Sequence, residues 1–260
     1  MSKHLLTAAA FAAATLMATS AHAVFEPFTV NEGVVAGAFA NTFVAGKLNG
    51  GFTEALTITG PGTFAASAFA TFGDYYDPLG VLMNNTQVGG NIFNPNLYQI
   101  YAVFSATGTF AGNSFTGVTG KFDLYIDQSS DTARNLLVPF VGTANPVLLN
   151  TGDDRHVGGT TTLLSGVGEL DPSPPNAFDF IFDAFTLTPF GKTYFTSPDP
   201  FYLRVRSNGD TDGALIPPVG TTLLATGDVS AEYMIPEPAT LALVGLSLVG
   251  MGLARRRKTA

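Results

Sequence analysis

Oxygen-bearing side chains at short spacing are the chain's clearest offer of chemistry. Asn208-Gly209-Asp210-Thr211-Asp212-Gly213 places side-chain oxygens at positions 1, 3 and 5 and glycine at position 6, the order of a calcium loop. Val219 stands at position 12, where such a loop uses a bidentate Glu, and Asn replaces Asp at position 1. The plainer reading is a polar hairpin turn, because Asn, Gly and Asp form turns in their own right. Calcium, held by Asn208, Asp210 and Asp212, is the only cofactor these residues suggest. Asp179 and Asp183 share a spacing with Asp123 and Asp127. On a strand each pair lies on one face about 13 Å apart, at ~3.3 Å per residue. That is too far for a retaining glycosidase pair and beyond the usual inverting range, so acids on a wet strand face are expected. Asp74-Tyr75-Tyr76-Asp77 brings rings and carboxylates together in a loop, a composition able to stack on and hydrogen-bond a sugar. Rings beside turns also fold back as lids on a core.

His156 is the only histidine beyond residue 23, and the chain has no cysteine. A Ser-His-Asp triad or a multi-histidine metal centre needs imidazoles placed together. A thiol nucleophile and a thiolate metal site are excluded outright. The expectation is a protein with no catalytic residues.

The elements that must position these side chains read as strands. Lys121 to Asp127 puts Phe122, Leu124 and Ile126 on one face, and Phe201 to Arg206 does the same with Phe201, Leu203 and Val205. Leu97–Ser105, Thr63–Phe72, Ala177–Thr188 and Asp228–Tyr233 follow the same alternation. Between them stand turn clusters: Asn49-Gly50-Gly51, Gly60-Pro61-Gly62, Gly89-Gly90-Asn91, Gly158-Gly159 and the Pro-rich 171–176. Many short strands with no long amphipathic helix predict an all-β fold, an antiparallel β-sandwich over residues 24–235. Twenty-two Phe and no Trp suit an aromatic-packed core. Those 212 residues can bury a core without disulfides. They carry seven basic and nineteen acidic side chains, a net charge of −12 against −8 for the whole chain. Such a surface opposes nucleic-acid and anionic-lipid partners.

The two ends carry addresses. Lys3 and His4 precede a largely apolar run from Leu5 to Ala18, and Ala21-His22-Ala23 is a small-x-small cleavage site. Residues 1–23 therefore read as a secretory signal peptide, cut after Ala23. At the other end Pro236-Glu237-Pro238 leads into an uncharged apolar stretch and then Arg255-Arg256-Arg257-Lys258. Residues 239–254 would span about 24 Å as a helix at ~1.5 Å per residue. That is slightly short of a usual spanning helix of ~17–25 residues, and the basic stop can snorkel to extend it. A transmembrane helix is expected over 238–254, with the basic cluster cytoplasmic and Glu237 held stiffly by its flanking prolines at the outer surface.

This order of parts resembles the PEP-CTERM sorting signal of Gram-negative bacteria, here over residues 236–260. The resemblance implies processing by an exosortase, a membrane cysteine protease or transpeptidase acting at Pro236, Glu237 and Pro238. It also implies transient residence in the inner membrane and final delivery to the cell surface or matrix. The region around Phe28-Thr29-Val30-Asn31-Glu32-Gly33 and residues 41–54 is similar to the flocculation-associated members of that family. Three functions follow from different classes. They are a non-catalytic surface or matrix protein of flocs and biofilms held in exopolysaccharide, a carbohydrate-binding sandwich, and a hydrolase using paired acids. The first is the expected one.

Overall fold

The computed structural model describes residues 26–89, 98–169, 177–199, 201, 203–210 and 218–233. The expected leader with Ala21 and Ala23, the segment 171–176, Asp212, and everything from residue 234 onward lie outside the described residues. The expected membrane helix and basic stop fall in that last part. Among the described residues no helix is long and apolar enough to cross a membrane.

Alternation does build strands. Two short ones, β1 (Phe28–Asn31) and β2 (Thr42–Ala45), precede β3 (Lys47–Gly60), β4 (Thr63–Tyr76), β5 (Gln99–Ala111) and β6 (Ser114–Asp127). The small pair β7 (Ala133–Arg134) and β8 (Leu148–Leu149) sits in the connection to β9 (Arg155–Thr160). There follow β10 (Thr162–Glu169), β11 (Ala177–Asp183), β12 (Thr186–Leu187), the helix α1 (Pro189–Tyr194), β13 (Phe195–Ser197), β14 (Leu203–Asp210) and β15 (Thr222–Tyr233).

Eight of these strands close on themselves. The order is β10-β11-β14-β15-β3-β4-β5-β6, antiparallel throughout, and β6 returns to pair with β10. The all-β antiparallel expectation holds, and the two-sheet sandwich is corrected to a closed barrel. The reason lies in β6, which pairs with β5 along its length and divides its other edge. Ser114–Thr116 meet β10, while Phe122–Ile126 meet β9. Closure removes the free edges of the wall. A half-buried strand has the same period in either architecture, so alternation could not separate the two.

The barrel interior is packed with rings against small residues. Phe104 lies 5.6 Å from Phe52, 6.5 Å from Phe122 and 6.0 Å from Phe182, centroid to centroid. Ala66, Ala68, Ala70 and Ala102 are buried beside them, so that large and small side chains interlock. Eight strands leave just enough room for such filling.

One mouth is capped. The sheet β13-β1-β2 lies over the end where β4 and β15 finish. Its Phe28 sits 6.3 Å from Tyr75, and Phe201, just before β14, sits 5.5 Å from Tyr233. Helix α1 supports the cap; it starts where the Thr188 hydroxyl accepts the Gly191 N–H at 3.0 Å, with Pro189 in its first turn.

Asn49-Gly50-Gly51 and Gly158-Gly159, expected as turns, run inside β3 and β9. At the first, the register shifts between Asn49 and Gly50, a bulge that leaves Gly73 as the extra residue of β4. A Cβ on Gly50 would stand 1.9 Å from the Thr71 carbonyl oxygen, so only glycine fits. These glycines serve close approach of two backbones rather than a reversal of the chain.

Candidate functional site

The bulge creates a trough on the outer wall. Strand pairing sets three residues abreast across β4, β3 and β15 in each of three rows. The rows are Tyr76, Lys47 and Glu232; then Asp74, Asn49 and Ser230; then Thr71, Gly51 and Asp228. All point away from the core, because Leu48, Phe52, Phe72 and Val229 between them are buried. The resulting trough has a volume of about 640 Å³, floored by Gly50, Gly51 and Gly73. Lys47 Nζ stands 5.9 Å from the centroid of the Tyr76 ring, and the Ser230 hydroxyl lies 2.9 Å from Asn49 Oδ1. Of the tetrad singled out in the sequence, Asp74 and Tyr76 line this trough. Tyr75 is fully buried in the cap. Asp77 closes the next turn, accepting the Leu79 and Val81 N–H groups at 2.9 and 2.8 Å.

On the neighbouring wall four rings cross four strands in a row. Phe69 to Tyr101 is 5.6 Å, Tyr101 to Tyr125 is a 5.1 Å stack, and Tyr125 to His156 is 4.9 Å. His156 Nε2 lies 3.2 Å from Asp123 Oδ1, and Lys121 Nζ lies 2.6 Å from the other Asp123 oxygen. That hydrogen bond holds the Lys121 ammonium protonated above its ordinary range. Burial pushes the Tyr101 and Tyr125 phenols up as well, and the Tyr101 hydroxyl donates to Asp154 at 2.5 Å. A hydroxyl-rich hollow of about 340 Å³ adjoins the row, lined by Asp123, His156, Thr160, Thr161, Thr162 and Thr186 among others.

The paired acids do not converge on a reaction centre. Asp179 takes a two-point ion pair from Arg206 at 2.8 and 2.9 Å, and Asp183 meets Arg204 at 3.3 Å. Asp123 sits on the wall, whereas Asp127 is buried at the end of β6 and accepts the Ser129 and Thr132 N–H groups at 3.1 and 2.7 Å. Carboxylate oxygens of Asp127, Asp131 and Asp153 lie within 4.8 Å of one another, hard donors of the kind calcium takes. The first three positions of the calcium loop read from sequence are extended instead. Asn208 pairs with Asp228, and Asp210 with Thr226, in the β14–β15 ladder.

Two buried carboxyls lie apart from these. Glu32, under the cap, accepts from the Gln87 N–H at 2.6 Å, Asn41 Nδ2 at 2.6 Å, Tyr98 hydroxyl at 2.9 Å and Gln87 Nε2 at 3.1 Å. The Tyr98 hydroxyl continues to Tyr194 and then Tyr75, a buried chain of phenols whose ionisation burial pushes well upward. Glu54 faces the barrel interior, and its Oε2 has no hydrogen-bond partner among the described residues. Burial raises its pKa to about 8.

The sequence reading missed Lys47, Asn49, Gly51, Asp228 and Ser230 as neighbours, since they come from strands far apart in the chain. The available signal was a glycine pair between Leu48 and Phe52, residues that already alternate as strand. Comparison with known proteins adds the address. Residues 235–258 match the PEP-CTERM protein-sorting motif. No curated protein and no solved structure matches the chain. The motif implies an exported surface protein of a Gram-negative bacterium, targeted by exosortase.

Proposed function

We propose that this protein is a non-catalytic component of the cell surface or extracellular matrix. It supports cell aggregation in flocs or biofilm together with exopolysaccharide. After export through the inner membrane it is cut by exosortase at Pro236-Glu237-Pro238 and delivered to the cell surface or matrix. The observation that carries this reading is the sorting motif at 235–258. The barrel suits the role: its outer wall is charged, and part of that charge stands in ion pairs, as Arg206 with Asp179 and Lys121 with Asp123. Thr and Ser hydroxyls, among them Thr107, Thr119 and Ser230, and the Asn49 amide add uncharged polar groups, which favours hydration within a gel. The similarity of residues 28–33 and 41–54 to flocculation-associated exosortase substrates points the same way.

The test is a deletion strain scored for aggregation and for polysaccharide retained with the cells. Loss of both, restored by the intact gene, is expected. Unchanged aggregation overturns the proposal. Cleavage of extracellular polysaccharide by the purified protein, abolished by one Asp→Asn change, would replace it with the hydrolase reading.

A further inference from the structure

We propose that the glycine-floored trough across β15, β3 and β4 binds a segment of a neutral polysaccharide. The inference rests on the matrix reading above and supplies it with a site. The trough's volume of about 640 Å³ falls within the range of small-ligand sites, roughly 300–1,000 Å³. Its floor exists because Gly51 has no side chain: a Cβ there would point into open space, its nearest neighbour being the Gly227 carbonyl oxygen at 3.6 Å. Glycine inside a strand marks a place where another molecule can come close to the backbone. A bulge beside it re-aims the flanking side chains.

The rim chemistry selects the ligand. Asp74 and Asp228 are exposed and have no partner among the described residues. Adjacent sugar hydroxyls donate well to such carboxylates, in charge-assisted hydrogen bonds. Asn49, Thr71 and Ser230 add neutral donors and acceptors, and the Tyr76 ring offers an apolar face to the C–H face of a pyranose. Asp74 and Asp228 on the rim, with Glu232 beside them, against one ammonium, on a strongly acidic protein, disfavour a polyanion. A peptide strand cannot add here, because β3 is paired on both sides by β4 and β15. Asp74 and Asp228 stand in different rows on β4 and β15, with β3 between them.

The experiment titrates the full chain, solubilised in mild detergent, with dextran, galactomannan and hydroxyethyl cellulose as neutral probes and alginate as the anionic one. Binding to at least one neutral probe is expected, with none to alginate. Gly51→Leu, which fills the floor, and Tyr76→Ala should each weaken it about tenfold or more, with melting temperatures unchanged. Asp228→Ala replaces Gly51→Leu if that variant fails to fold. No neutral binding, tighter binding to alginate, or wild-type affinity in these variants overturns the proposal. The same variants in cells separate the two readings. If the deletion strain stops aggregating while Gly51→Leu cells aggregate normally, the trough is wrong and the matrix role stands. If the deletion strain aggregates as before, the matrix role fails whatever the titration gives.

Discussion

Two glutamates show how neighbours decide what burial does to a carboxyl. Glu32 and Glu54 are both excluded from solvent, yet among the described residues four donors converge on the first and Oε2 of the second has none. Replacing Glu32 by Ala leaves the Gln87 N–H, the Asn41 amide and the Tyr98 hydroxyl without their acceptor inside the cap. A buried donor left unsatisfied costs about 1–3 kcal/mol, and chemical denaturation of Glu32→Ala should show a loss of at least that order. Tyr75→Phe removes only the end of the chain, which points to about 1 kcal/mol. Glu54 makes the opposite prediction, in pH. Its folded pKa of about 8 lies above the ordinary 4.5, so the folded state holds a proton that the unfolded state releases between those values. No penalty exists below pH 4.5, and stability falls by about 1.4 kcal/mol per pH unit up to pH 8, then levels off. Glu54→Gln should flatten that slope and raise stability at pH 8 relative to the native chain. Parallel denaturation curves of the two proteins across this range would contradict the account.

At the scale of strands, what the sequence made legible was period, and what it hid was partnership. Phe122, Leu124 and Ile126 are buried as their alternation requires, and so are Phe201, Leu203 and Val205. Alternation contains nothing about which distant strand pairs with β6, and the closing seam depends on that alone. Its fit is set by glycines: a Cβ on Gly166 would stand 2.8 Å from the Phe180 ring and 3.1 Å from the Gly117 Cα. Gly117 and Gly166 therefore let β6 and β10 approach under that ring. Gly166→Val should destabilise the barrel by about 1–3 kcal/mol through overpacking and open the β6–β10 ladder first. Hydrogen exchange would show it as lost protection at Val167, Gly168 and Glu169, with β3–β4 protection retained. Uniform loss across the wall would mean the seam is no weaker than the rest. The trough was hidden for the same reason. The Gly50–Gly51 pair reads locally as a turn, and only the register with Phe72 and Thr71 reveals a bulge.

For the whole molecule, the barrel packs most of its phenylalanine rings inside and carries its ion pairs, with one row of rings, outside. A membrane barrel presents an apolar band outward around a polar lumen; this wall presents Arg204, Arg206, Asp179, Asp123 and Lys121 instead. The sorting motif lies instead in the terminal segment, whose order of parts was legible without any fold. A stiff acidic tripeptide, an apolar stretch and a basic stop act through local charge and length, and none depends on long-range pairing. The proposed sorting role has two separable parts, holding and being cut, and two variants separate them. Deleting 236–258 removes the apolar stretch and its stop, so the barrel should appear free in the medium. Glu237→Ala keeps both and removes the one carboxylate between Pro236 and Pro238, so a full-length precursor should accumulate in the membrane fraction. Immunoblots of membrane, surface and medium fractions check both outcomes. If Glu237→Ala protein is shortened and delivered at the native rate, the carboxylate is not what the protease reads, and the segment acts as an anchor alone.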